Sequence, residues 1–325
     1  MLGQDLSPVQ LSDMLDAEQR IRKVFPPSPL LSMAPLDQEL GFPVYLKAES
    51  LLPSGAYKFR GATNKITSLI EQFGTDIRIV TASSGNHGMA CALVGRKLGI
   101  SASVVVPVPT PQIKKDCIRA MGATLLEIGE TYDTSFLAAC KLADEQGMYY
   151  VHPVSDRYTL GGQGTISLEL LQQLPDVQEV IVPIGGGGLI TGISYAMKHL
   201  RPNVKIIGVM PEGSAVYAAS RKAGRLVTLD SCSSIADAAV RKTGEEYLYP
   251  YIEKYVDDIV TVSEHDLRKA IKVACLFGKL TLEGAGVMPL AAVMAKKCEV
   301  MDKTVLICSG GNIDQKVLDL CMKEE

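Results

Sequence analysis

EVIVPIGGGGLITGIS, residues 179–194, runs from an apolar stretch through four glycines into a helical pattern. A strand that is apolar on both faces belongs in a parallel sheet covered by helices. Four residues without side chains let consecutive N–H groups fold around an anion, and the dipole of the next helix adds favourable positive potential. A plain strand-to-helix turn needs only one or two glycines, and that bland alternative stays open for the loop by itself. The stretch lacks the G-K-[ST] ending of a P-loop. It also lacks G-x-G-x-x-G with an acid about 20 residues on, which a dinucleotide site requires. A cup for a phosphate is the functional reading.

The pattern repeats on either side of this stretch. IRIVTAS (77–83), SASVVVP (101–107), TLLEIG (124–129) and MYYVHP (148–153) read as buried strands, separated by amphipathic stretches that begin near Asn86, Thr110 and Thr131. EVIVPIG (179–185), VKIIGVM (204–210), DIVTVS (258–263) and TVLICSG (304–310) form a second series. Strands alternating with helices predict parallel β-α-β units. The fold class expected is α/β, with two open, twisted, mostly parallel sheets, each flanked by helices, and an active site between the lobes. SEHD (263–266) predicts a capped helix start. FPPSP (25–29) reads as a turn before the strand PVYLKAE (43–49).

The 325 residues are 47% hydrophobic and 21% charged, with a formal net charge of -3. That balance suits a globular protein with an ample core. No run of five or more lysines and arginines suggests a nucleic-acid footprint. No apolar run approaches the ~18 residues of a membrane span. The N-terminus is polar and helix-patterned, not a secretory signal, so a cytoplasmic protein is expected. Eight cysteines occur without a C-x-x-C pair; they read as reduced, buried thiols and not as zinc ligands.

Three further stretches stand at strand ends or helix starts. TASSGNHGMACA (81–92) offers Ser83, Ser84 and Asn86 beside free helix-start N–H groups, which suits a substrate carboxylate; a Ser/Asn helix cap is the alternative. His87 taken alone reads as a packed, hydrogen-bonded histidine. LICSGGNID (306–314) ends a strand with Ser309 and two glycines. SGAYKFRGA (54–62) starts a helix with Lys58, where the helix dipole disfavours a cation. A surface lysine could sit elsewhere; a functional one tolerates the cost.

In this order the four stretches resemble the pyridoxal-phosphate enzymes of fold type II, and within them the serine/threonine dehydratase and serine racemase family. GGQGT (161–165) is similar to that family's inter-lobe segment. The resemblance implies a large cofactor-binding domain, residues 1–76 and 154–325, and a small substrate-loop domain, residues 77–153. It implies that Lys58 carries pyridoxal 5'-phosphate. Gly185, Gly186, Gly187, Gly188 and the Leu189 backbone would then hold the phosphate, Asn86 the ring hydroxyl and Ser309 the ring nitrogen. Ser83, Ser84, Gly85, Asn86 and His87 would surround the substrate, with Tyr57 and Glu283 near the ring. Tyr57 replaces the usual phenylalanine, so its hydroxyl needs a partner if buried.

The chemistry implied is removal of the α-proton of an amino acid by Lys58, provided burial and cationic neighbours lower its pKa. Ser309, a neutral hydroxyl, does not enforce protonation of the ring nitrogen, which favours loss of a β-hydroxyl over a persistent carbanion. Dehydration of L-threonine or L-serine to a 2-oxo acid and ammonia is the expectation. Ser84 keeps racemisation open, and elimination from a hydroxyaspartate with it; a non-catalytic binding protein on this fold, or a nicotinamide dehydrogenase, fits less well. The partner expected is a small amino-acid substrate, and the assembly expected is a homodimer.

The chain also departs from the family pattern. Met210, Ser214 and Val216 fall where related racemases carry cation-binding acids, and Glu212 alone makes no hard-cation site; no metal requirement is expected. Gly284 stands where proline is common, and Ala238 where glycine is frequent, which puts substrate identity in question. After SGGNID only a short helix is expected, with no amino-acid-sensing domain.

Overall fold

The computed structural model describes residues 3–323. In chain order the elements begin with α1 (Leu11–Arg22), β1 (Leu30–Ser32), α2 (Ala34–Leu40), β2 (Tyr45–Lys47), α3 (Lys58–Phe73), β3 (Arg78–Ala82) and α4 (Asn86–Leu98). Next come β4 (Ser101–Val106), α5 (Gln112–Ala120), β5 (Thr124–Glu127), α6 (Tyr132–Gln146), β6 (Tyr149–Tyr150) and α7 (Arg157–Gln173). Then follow β7 (Glu179–Pro183), α8 (Gly188–Leu200), β8 (Lys205–Pro211), α9 (Val216–Ala223), α10 (Tyr249–Tyr255) and β9 (Asp258–Val262). The chain continues through α11 (Glu264–Leu276), α12 (Gly284–Met294), β10 (Thr304–Ile307) and α13 (Gln315–Met322).

The chain divides into two compact units. One contains the residues up to Pro26 and Lys58–Gln163; the other contains Pro27–Tyr57 and the chain from Gly164 onward. The division differs from one drawn at 76/77 and 153/154, because α3 packs on α4 and α1 on α3, so both helices go with the smaller sheet. One crossing of the chain falls inside GGQGT, between Gln163 and Gly164.

The first unit holds a four-stranded sheet in the order β5-β4-β3-β6, parallel throughout. Val80, Ala82, Val105, Ala139, Ala143, Met148 and Tyr150 form a core beside it. Helices α3 and α7 approach through glycines: a Cβ on Gly162 would stand 2.7 Å from the Gly61 Cα. Nearby, Lys65 Nζ meets Asp156 Oδ2 at 2.7 Å, both side chains out of solvent.

The second unit holds a six-stranded sheet in the order β1-β2-β10-β7-β8-β9. Only β1 is antiparallel. Its three residues follow the proline cluster, too short for any periodicity to announce them. All five residues of β7 are buried, as the apolar run required of a strand covered on both faces. Helix α12 is buried all round from Gly284 to Val293, and its side chains join Leu46, Ile181, Ile207 and Leu306 in the core. SEHD forms the expected capping box at the start of α11.

Candidate active site

In the larger sheet β2, β10 and β7 are parallel neighbours, so the loops after their C-terminal ends lie side by side. Chain order reverses between β10 and β7, the position where open α/β sheets bind ligands. Two of these loops are zipped together. Ala56 bridges Gly310 in antiparallel fashion, Tyr57 N–H donates to the Ser309 carbonyl at 2.9 Å, and Gly311 N–H donates to the Gly55 carbonyl at 2.9 Å. Asn312 Nδ2 donates to the Ser54 carbonyl at 2.9 Å. Gly55 has φ +75°, and its missing Cβ leaves the space that the Asn312 side chain fills. Ser309 is buried, and its hydroxyl makes no hydrogen bond among the described residues.

After β7 come the four glycines. Gly187, at φ +92° and ψ -15°, caps α8. None of Gly185 to Gly188 donates its N–H to a protein acceptor among the described residues. A Cβ on Gly185 would stand 2.8 Å from the Ala239 Cα, so no larger residue fits there. Leu189 follows as a buried residue of α8. Glu283, also buried, caps α12 without a side-chain cap bond, and its N–H donates to the Gly310 carbonyl at 3.1 Å. Gly284 has no room for a side chain, because a Cβ would stand 2.7 Å from the Ala236 Cα. Tyr57 is half-buried in this unit. Burial pushes its phenol up from the ordinary value; Arg241 opposes the shift and Glu283 adds to it.

In the smaller sheet β3 and β6 are neighbours, and chain order reverses between them. The loop after β3 carries Ser83, Ser84, Gly85, Asn86 and His87. Gly85 takes the cap position of α4 with no side-chain cap bond, so this loop is not a Ser/Asn helix cap. Ser83 Oγ accepts from Gly85 N–H at 3.3 Å, while the Ser84 hydroxyl has no hydrogen-bond partner among the described residues.

Lys58 opens α3, with no acid in the first turn. Its Nζ donates to the Pro153 carbonyl at 2.6 Å. Beside it, His87 is only 3% exposed. Its Nε2 lies 2.9 Å from the Val151 carbonyl, which can only accept, so Nε2 carries the proton. Nδ1 is therefore an unprotonated acceptor, buried without a partner among the described residues. Burial first, then the charge on Lys58, pull the imidazole down to about 3. His87 is neutral at any working pH and adds no positive charge next to the lysine. His152 Nδ1 accepts from the N–H groups of Val154 at 3.2 Å and Ser155 at 2.7 Å, which fixes the turn around the Pro153 carbonyl.

The positions discussed for a cation are otherwise engaged. Met210 is buried in β8, Glu212 pairs with Lys297 at 3.9 Å, and Ser214 Oγ bonds the backbone N–H and carbonyl of Arg241 at 2.8 and 3.0 Å. Val216 is buried at the start of α9. Among the described residues no group of three or more His, Cys, Asp and Glu side chains is arranged to hold a metal ion.

Residues 21–310 match the model of the pyridoxal-phosphate dependent enzyme family. The chain belongs to that family. It is 37% identical over 312 residues to an L-threonine ammonia-lyase of Thermotoga maritima, an alignment covering 96% of this chain and 77% of the relative. Maize serine racemase superposes with a TM-score of 0.89 at 33% identity, covering 97% of both chains. The processed form of threonine deaminase isoform 2 from Solanum lycopersicum gives 0.90 at 33% identity, covering 99% of this chain and 89% of that one.

The residues present fit the family's cofactor. Among the described residues the N–H groups of Gly185 to Gly188 are unclaimed, a side chain would collide at Gly185 and at Gly187, and a buried serine hydroxyl is unused one strand away. Pyridoxal phosphate, when bound, supplies an aldehyde for a lysine amine and a conjugated ring that accepts an electron pair. The sequence does not show the Pro153 carbonyl or the Asn312 side chain in these places, because backbone acceptors leave no trace in a sequence and Asn312 acts through the distant Ser54.

Proposed function

We propose that this pyridoxal-phosphate enzyme dehydrates a β-hydroxy amino acid, L-threonine or L-serine, to a 2-oxo acid and ammonia. The observation that carries the reading is the pairing of Gly55, Ala56 and Tyr57, the residues that lead directly to Lys58 in the chain, with the loop of Ser309. The 37% identity to a named L-threonine ammonia-lyase supports the same activity. Lys58 Nζ holds the cofactor and then, as a free amine, takes the proton from the substrate Cα. The N–H groups of Gly185, Gly186, Gly187, Gly188 and Leu189 bind the phosphate. Asn86 would hold the ring hydroxyl and Ser309 the ring nitrogen, and Tyr57 and Glu283 would serve the ring. Ser83, Ser84, Gly85 and Asn86 receive the substrate carboxylate; the His87 ring, expected to join them, has its N–H on the Val151 carbonyl and an unprotonated Nδ1, so it has no donor left for a carboxylate.

Racemisation is the second reading, and Ser84 is the observation that favours it. Its hydroxyl has no hydrogen-bond partner among the described residues, which leaves it able to return a proton. Incubation with L-serine, D-serine, L-threonine and hydroxyaspartate, followed by 2-oxo acid assay and chiral chromatography, separates the readings. Ammonia and 2-oxo acid from L-threonine or L-serine are the expected products; inversion without ammonia would overturn the first reading. A cytoplasmic location and a homodimer belong to the same proposal, and fractionation and sedimentation test them.

A further inference from the structure

Tyr217 is fully buried near the start of α9, thirty residues beyond the glycine loop. Its hydroxyl donates to the Gly186 carbonyl at 3.1 Å and accepts from Glu245 N–H at 2.9 Å. The ring stands between two glycines. A Cβ on Gly187 would lie 2.8 Å from the Tyr217 hydroxyl, and a Cβ on Gly244 would lie 2.8 Å from its Cε1. With one bond donated and one accepted, the hydroxyl is committed to the protein. Burial pushes the phenol up from its ordinary value, so it remains a donor.

A run of glycines has many accessible conformations, and only some of them direct successive N–H groups to one side. In a planar trans peptide the carbonyl and the next N–H point in opposite directions. Anchoring the Gly186 carbonyl on Tyr217 thus aims the Gly187 N–H away from Tyr217. The next peptide is anchored the same way, because the Gly187 carbonyl accepts from Thr191 N–H at 3.0 Å. Two consecutive peptides are held by their carbonyls, and their N–H groups bond no acceptor among the described residues.

We infer that Tyr217 is a positioning residue that presets the glycine loop for a phosphate group, through its bond to the Gly186 carbonyl and without touching the phosphate. The inference rests on reading that loop as the phosphate cup. It assigns to α9 and to the Gly244–Glu245 turn a part in cofactor affinity that none of the glycines reveals.

The test compares two aldehydes, pyridoxal phosphate and pyridoxal, titrated into the apoprotein and followed by the visible absorbance of the bound form. Tyr217→Phe keeps the ring and removes only the hydroxyl. It is expected to weaken pyridoxal phosphate on the order of tenfold, to leave pyridoxal unchanged, and to weaken competition by inorganic phosphate. Equal loss for both aldehydes, or no loss for either, overturns the inference. If the wild-type protein binds the two aldehydes equally well, the phosphate-cup reading fails instead. Should Tyr217→Phe not fold, Gly244→Ala displaces the same ring from the other side and is expected to show the same selective loss; a melting profile of each apoprotein accompanies the titrations.

Discussion

Tyr57 donates its backbone N–H to the carbonyl of Ser309 at 2.9 Å, across two loops more than 250 residues apart in sequence. The residue that precedes the lysine is thereby fixed in register with the serine after β10. Gly55 and Gly311 continue the pairing on one side and Asn312 closes it onto Ser54. A rigid backbone, not a flexible loop, leads into Lys58.

Lys58→Ala is expected to abolish the visible absorbance of covalently bound pyridoxal phosphate and to lower 2-oxo acid formation by about 10²–10⁴-fold. Absorbance of the purified variant and a coupled 2-oxo acid assay measure both. Unchanged absorbance with full turnover would assign the covalent role to another residue.

Ser84→Ala separates elimination from inversion. Formation of 2-oxo acid from L-threonine should stay within the same order of magnitude, while any interconversion of L- and D-serine should fall about 10²-fold or more. Chiral chromatography reads the second quantity. A collapse of both activities would give Ser84 a part in elimination as well.

His87 makes stability sensitive to acid. Its imidazole takes a proton near 6.5 when the chain is unfolded and only near 3 in the folded protein. The unfolded chain therefore binds more protons between those values, and stability falls as pH drops from about 6.5 towards 3. The contribution is at most about 1.4 kcal/mol per pH unit. His87→Gln keeps a donor for the Val151 carbonyl and does not titrate. Urea midpoints between pH 7 and pH 4 should fall less steeply for the variant; parallel curves would refute the assignment.

Gly286 lies against the loop that carries Ser309. A Cβ there would collide with the Gly310 carbonyl oxygen, a backbone atom that cannot swing away. Gly286→Ala should cost about 1–3 kcal/mol in urea unfolding. It should also weaken cofactor binding, because Gly310 is paired with Ala56 and bonded by Glu283 N–H. Wild-type stability together with wild-type affinity would show that the loop accommodates the methyl freely.

The sequence made the strands legible because β7 and β8 are buried on both faces and show it as uninterrupted apolar runs. Gly185–Gly188 and Ser309 were legible because each directly follows such a run. Other features depend on distant partners. Tyr217 matters through Gly186 and Gly244, neither near it in the chain, and nothing in VYAASRKA marks it. Helix α12 has no polar face and contains Pro289, so its pattern resembles neither an amphipathic helix nor a strand. The compact units divide elsewhere than at 76/77 for a related reason: α3 follows the lysine loop in sequence but packs on α4.

Among the described residues strand β2 pairs with β1 and β10 alone. During synthesis β10 emerges about 250 residues after β2, roughly 10–50 s later at about 5–20 residues per second. For that interval β1 and β2 can form only an isolated two-stranded piece, which is marginally stable in water. The segment leading to Lys58 waits equally long for its partner loop. The first unit has all its described strands once β6 is made, so it can fold early, whereas residues 54–57 of the second unit gain their partner loop only after β10 is made.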